Sequence, residues 1–255
     1  MTLQKLYSYT RKAIEQYNMI DDGDKIAIGI SGGKDSLTLL YALSGLKKFY
    51  PKKFEIVAIT VDLGLGIQKL ADIENLCNSL NVEYYIVKTE IGEIVFNQRK
   101  ESNPCSLCAT MRKGALNNKA KELGCNKIAY AHHRDDIIET MFLSLIYEGR
   151  FYCFSPSTYL EKMELKVIRP MMFVEEYRVI SFAKSYNLPV AKNPCPVDGH
   201  TKREYVKKLV KKLEEENKGA KDRFFSAIIH GDISGWPKPD YSTKYRKENG
   251  NNKNE

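Results

Sequence analysis

Residues 24–40 read DKIAIGISGGKDSLTLL, and the turn at their centre decides the fold. Lys25–Ile30 (KIAIGI) is a nearly uninterrupted apolar run, the pattern of a parallel strand buried on both faces. Leu37–Leu46 follows with helical spacing. Between them lies Ser31-Gly32-Gly33-Lys34-Asp35-Ser36. Glycines let backbone approach an anion closely, and the free N–H groups of a helix start face it. Ser31 and Ser36 add hydroxyl donors, and Lys34 adds a point charge. Asp35 beside a phosphate calls for a bridging divalent cation such as Mg²⁺. The Walker pattern G-x-x-x-x-G-K-[ST] fails, because it needs glycine at Ile28 and a hydroxyl at Asp35. The dinucleotide pattern G-x-G-x-x-G fails too.

Outward from this turn, strands and helices alternate. Phe54–Val61 reads as a second strand ending at Asp62, followed by a helix at Lys69–Leu80 and a third strand at Val82–Val87. A loop containing Asn103-Pro104-Cys105 leads to a helix from Ala109 to Leu123. Lys127–Ala131 is a fourth strand, running into His132-His133-Arg134-Asp135-Asp136 and a helix at Ile137–Tyr147. Val167–Arg169 reads as a short fifth strand before a helix at Val174–Tyr186. This order predicts an α/β fold, a doubly wound parallel sheet with ligands beyond the carboxyl ends of its strands. The expected layout is an N-terminal amphipathic helix over 1–23, a main domain over 24–200, a basic helical extension over 201–235 and a polar, disordered tail over 236–255.

The chain has 255 residues, 43% of them hydrophobic, enough for the core of one large domain. No apolar run reaches the length of a membrane helix, and the first twenty residues lack the pattern of a signal peptide. A cytoplasmic protein without a membrane partner is expected. A net charge of +8 suits a polyanionic partner such as RNA. The run Lys202–Lys212 suits RNA phosphates, or simply a solvated helix face.

Of six cysteines, only Cys105 and Cys108 are close in sequence; Cys195 stands alone beside two prolines. In a reducing compartment disulfides are not expected. A single C-x-x-C fits a zinc half-site or a redox pair. A structural zinc ion needs four protein ligands, and no second C-x-x-C is present. Three cysteines can also hold three irons of a [4Fe–4S] cluster and leave the fourth open to a ligand such as sulfide. Cys77, Cys125 and Cys153 read as packing thiols.

The combination of SGGKDS, of CSLC with Arg112 four places on, of HHRDD and of a late Pro-Cys resembles the tRNA 2-thiocytidine synthetase (TtcA) family of PP-loop ATP pyrophosphatases. The resemblance runs from about Asp24 to Cys195. It implies the adenine nucleotide alpha hydrolase fold. It further implies an ATP-dependent tRNA sulfurtransferase releasing AMP and pyrophosphate, with a cluster on Cys105, Cys108 and Cys195 supplying sulfur to C2 of a cytidine. Ser31–Ser36, with Asp62 and His132, then falls at the ATP site. Asp35 and Asp136 fall at Mg²⁺, and Arg112 and Asp136 beside the reacting groups. A sulfur donor, either a cysteine desulfurase or free sulfide, is also implied, and a homodimer is compatible. In many members the late cysteine opens a second C-x-x-C, whereas here Asp198 stands at its second position. The alternatives are a PP-loop ligase or a 2-thiouridine-type enzyme acting on another RNA or small molecule. A regulatory protein that binds ATP or RNA without catalysis is a third.

Overall fold

The computed structural model describes residues 1–66, 69–99, 104–192, 195 and 202–231. Six strands form one sheet in the order β3-β2-β1-β4-β6-β5. They are β1 (Asp24–Gly29), β2 (Phe54–Asp62), β3 (Glu83–Lys88), β4 (Lys127–Ala129), β5 (Ser157–Leu160) and β6 (Leu165–Ile168). All neighbouring pairs are parallel except β5 with β6. The antiparallel edge strand β5 was not expected from sequence. It is only four residues long, and a three-residue 3₁₀ turn at Glu161–Met163 folds it back.

The central strands are apolar on both faces because both faces are covered. Ile26 and Ile28 of β1 point into the larger core, while Ala27 between them joins the smaller one. The larger core takes side chains from α1 (Leu3–Gln16), α2 (Lys34–Leu46), α3 (Leu70–Ser79), α5 (Arg134–Glu148) and α6 (Glu176–Ser185). It also takes Val206 and Val210 of α7 (Lys202–Glu216), and Phe225 and Ile228 of α8 (Ala220–His230). The basic extension is therefore packed on the domain along one face, not wholly exposed. The smaller core lies under α4 (Pro104–Glu122) through Leu116 and Ala120. Burying each such leucine contributes roughly 1.5–3 kcal/mol.

β1 pairs with β2 on one side and β4 on the other, so the chain reverses its winding between β1 and β4. The crevice at such a reversal opens at the carboxyl ends of the two strands. Here those ends lead into Ser31 and His132. Among the described residues, no helix is long and apolar enough to cross a membrane.

Candidate active site

The 31–36 turn is held by its own hydroxyls. The Ser36 Oγ donates to the Gly33 carbonyl at 3.0 Å and accepts from the Ser31 N–H at 3.2 Å. The Ser31 Oγ lies 3.2 Å from Ser36 Oγ and accepts from the Gly33 N–H at 3.3 Å. Both serines therefore shape the loop. Gly32 adopts φ +77°, a left-handed conformation that costs glycine nothing. Its carbonyl accepts from the Ala191 N–H at 2.9 Å, so the segment leading to Cys195 lies against the loop. Lys34, in the first turn of α2, stands 3.1 Å from Asp35 Oδ2 and 3.3 Å from Glu176 Oε1. Burial works against its charge, but Asp35 and Glu176 outweigh that and hold its pKa above the ordinary lysine value.

Helix α5 starts with a reciprocal cap. His133 Nδ1 accepts from the Asp136 N–H at 3.3 Å, and Asp136 Oδ2 accepts from the His133 N–H at 3.0 Å. His133 is the N-cap, in the position usually held by serine or threonine, and Asp136 closes the box from the third helical position. His133, expected to be only a packed or solvated ring, is buried and places Nε2 3.7 Å from Asp35 Oδ1. Asp135 is turned inward: Oδ1 takes Lys221 at 2.6 Å and Oδ2 the Glu176 N–H at 2.7 Å. Burial opposes its charge, but these partners keep its pKa below the ordinary value.

α7 reaches the same place. Arg203 Nη1 lies 3.4 Å from both Asp136 Oδ1 and Glu139 Oε2, and Nη2 donates to Thr140 Oγ1 at 3.2 Å. Lys207, one turn later, pairs with Glu176 at 2.7 Å. Burial, and then the Asp136 charge, push the Glu139 pKa up to about 7. Sequence reasoning missed Glu139, Glu176, Arg203, Lys207 and Lys221 as site residues. Their i, i+4 spacing on α7 was the available signal for the two basic residues that turn inward.

His132 leaves the end of β4 and stacks on Phe154, with ring centroids 4.1 Å apart and planes 13° apart. Its Nδ1 accepts from Arg169 Nε at 3.2 Å. Burial and then the Arg169 charge lower its pKa to about 3. The expected nucleotide contact thus falls on an uncharged imidazole.

The cysteine pair does not sit in a loop. α4 begins at Pro104, so Cys105 and Cys108 occupy its first turns. Burial raises the Cys108 pKa; Arg112 opposes this, while Cys195 and Cys105 add to it. Cys105, Cys195 and the exposed Arg112 thus all lie within electrostatic reach of Cys108. Among the described residues, no three His, Cys, Asp or Glu side chains converge closely enough to hold a single metal ion. Asn103 and Pro196–Thr201, including Asp198, lie outside the described residues. Asp62 ends β2 and accepts from the Gly64 N–H at 2.9 Å, the turn-forming role. Cys77, Cys125 and Cys153 are buried, and no disulfide forms among the six cysteines.

A separate groove of about 530 Å³ lies between α5 and α8, lined by Met141, Phe142, Leu145, Phe151, Phe224 and Ile228 among others. It carries no titratable group and lies apart from the loop at Ser31.

Comparison with known proteins points to one family. A PP-loop domain family model matches residues 5–213. A tRNA-cytidine(32) 2-sulfurtransferase from Geobacter sulfurreducens is 36% identical over 228 residues, covering 88% of this chain and 89% of that one. One of the same name from Syntrophotalea carbinolica is 37% identical over 216 residues, covering 84% and 83%. Among solved structures, the U34-tRNA thiolase NcsA from Methanococcus maripaludis with its [4Fe-4S] cluster shares the fold. It has a TM-score of 0.70 at 24% identity, covering 91% of this chain and 80% of that one.

Proposed function

The chain belongs to the PP-loop domain family, among the tRNA-cytidine(32) 2-sulfurtransferases, and from that membership we propose that it is an ATP-dependent tRNA thiolase. Its substrate is a cytidine whose C2 oxygen attacks the α-phosphate of ATP. Pyrophosphate leaves, sulfur replaces the activated oxygen at C2, and AMP departs with that oxygen.

What supports this reading is that Cys105, Cys195 and Arg112 all act on the charge of the Cys108 thiol. Bound there, a [4Fe–4S] cluster supplies an iron site for inorganic sulfur, drawn from a cysteine desulfurase or free sulfide. The chain's own groups do the rest. The N–H groups opening α2 and the Lys34 ammonium receive the phosphates. Asp35, whose buried Oδ1 has no hydrogen-bond partner among the described residues, is the natural Mg²⁺ ligand. Asp136 presents Oδ1 while Oδ2 caps α5. Arg112 stabilises negative charge developing at the reacting oxygen. His132 donates a hydrogen bond without delivering a proton.

The test is mass spectrometry of tRNA nucleosides from a strain lacking the gene, complemented with wild type or with Cys105→Ser, Cys108→Ser or Cys195→Ser. Wild type restores 2-thiocytidine and the three variants do not. Thiolation surviving in all three variants overturns the three-cysteine reading. A deletion strain with unchanged 2-thiocytidine overturns the substrate.

A further inference from the structure

We propose that Arg169 is a positioning residue that fixes His132 as a neutral imidazole carrying its proton on Nε2, a preset hydrogen-bond donor at the carboxyl ends of β4 and β6. β4 and β6 are paired neighbours, with Ala129 opposite Ile168 and the Tyr130 N–H donating to the Ile168 carbonyl at 3.0 Å. Arg169 directly follows Ile168 and His132 lies three residues past Ala129, and the two side chains meet beyond the strand ends. The Arg169 Nε donates to His132 Nδ1 at 3.2 Å. A guanidinium can only donate, so Nδ1 must be the lone-pair nitrogen and Nε2 must carry the proton.

Both partners are held. Arg169 is 9% exposed, and its Nη1 donates to the Ser155 carbonyl at 2.5 Å and to Thr158 Oγ1 at 3.5 Å. Its guanidinium lies 5.2 Å from the centroid of Phe154, on which His132 is stacked. Tyr130 lies against the imidazole at 5.7 Å. The charged groups that act on the ring are Arg169, Arg203 and His133, which disfavour a second proton, and Asp136, which favours one. Burial exceeds them all and agrees with the neutral state. Among the described residues Nε2 hydrogen-bonds to nothing, so the donor is left for an oxygen of the bound substrates.

The donor role rests on the thiolase reading; the tautomer does not, because it is read from the protein alone. The experiment is nitrogen-15 NMR of the histidine-labelled full chain, which has four histidines. The His132 signals are identified by their loss in His132→Gln. Wild type is expected to show protonated Nε2 and bare Nδ1 from about pH 5.5 to about pH 8.5. Arg169→Met, of similar volume but without a donor, should give mixed tautomers and an upward shift in titration. Arg169→Lys should restore the lock in part. Addition of ATP, then of tRNA, should perturb Nε2; the step at which it moves tells whether a phosphate or a base carbonyl accepts. Thiolation by Arg169→Met should fall about tenfold or more.

A wild-type His132 with its proton on Nδ1, or titrating as an ordinary histidine, overturns the assignment even if the methionine variant fails to fold. So does a folded Arg169→Met with unchanged tautomer. Nε2 signals indifferent to both substrates overturn the donor role.

Discussion

Asp35 Oδ1 and His133 Nε2 face each other across 3.7 Å, and the carboxylate oxygen has no hydrogen-bond partner among the described residues. A buried acceptor left unmade costs about 1–3 kcal/mol, so this position is poised to take a ligand. Asp35→Asn should lower Mg²⁺-dependent ATP–pyrophosphate exchange in the presence of tRNA by about tenfold or more. The melting temperature should change little, because the lost Lys34 ion pair is partly exposed and Oδ1 has no partner to lose. Exchange with an unchanged Mg²⁺ response would assign the oxygen to His133 instead.

Gly32→Ala is expected to be costly for two reasons. Its φ of +77° is strained for any side chain, and an added Cβ would stand 3.1 Å from the Ala191 Cβ. The backbone term alone is about 1–2 kcal/mol. Chemical denaturation should show a loss of that size, and iron content should fall because the segment carrying Cys195 is displaced from the loop.

Arg112 holds down the Cys108 pKa, which burial raises. Arg112→Met removes the opposing charge, so the thiol titrates higher and less thiolate exists at a given pH. Alkylation of Cys108 in metal-free protein, followed by peptide mass spectrometry near pH 8, should slow several-fold. An unchanged rate would show that the exposed guanidinium is screened by solvent.

Glu139 sets a pH dependence of stability. Its folded pKa is pushed up to about 7 from the ordinary 4.5, so the folded chain holds this proton more tightly than the unfolded chain. Its contribution therefore favours folding at low pH and is lost as pH rises from about 4.5 through about 7. Glu139→Gln should flatten the melting-temperature profile across that window and leave stability at pH 8 no lower than wild type. A profile as steep as before would place the titration elsewhere.

The strand–turn–helix at β1, the order of the parallel strands and the packing thiols were legible because each is local: an apolar run, a glycine pair, a period. The start of α4 was legible in principle, since proline favours the first helical position, yet the prolines around these cysteines read as turn formers. The edge strand β5 was not, because four residues with exposed Tyr159 carry too weak an alternation. Arg169, Arg203, Glu176 and Lys221 are ordinary charged residues in sequence. Only the pairing of β4 with β6 and the docking of α7 and α8 on α5 give them partners. The N-cap of α5 fell to His133, because α5 already begins at Arg134 and Asp135 lies inside its first turn.

Asp135, Asp136, Glu139 and Glu176 all find basic partners in Arg203, Lys207 and Lys221 of the last two helices. Those helices thus act as built-in counterions. Replacing Arg203, Lys207 and Lys221 by glutamine would be an electrostatic lesion without the loss of core side chains that truncation at residue 201 brings. Four carboxylates would face the mouth of a site that must admit a polyanion, with Lys34 the nearest cation left to them. Such a protein should reject ATP before it fails to fold, and added salt should rescue entry better than a stabilising osmolyte would.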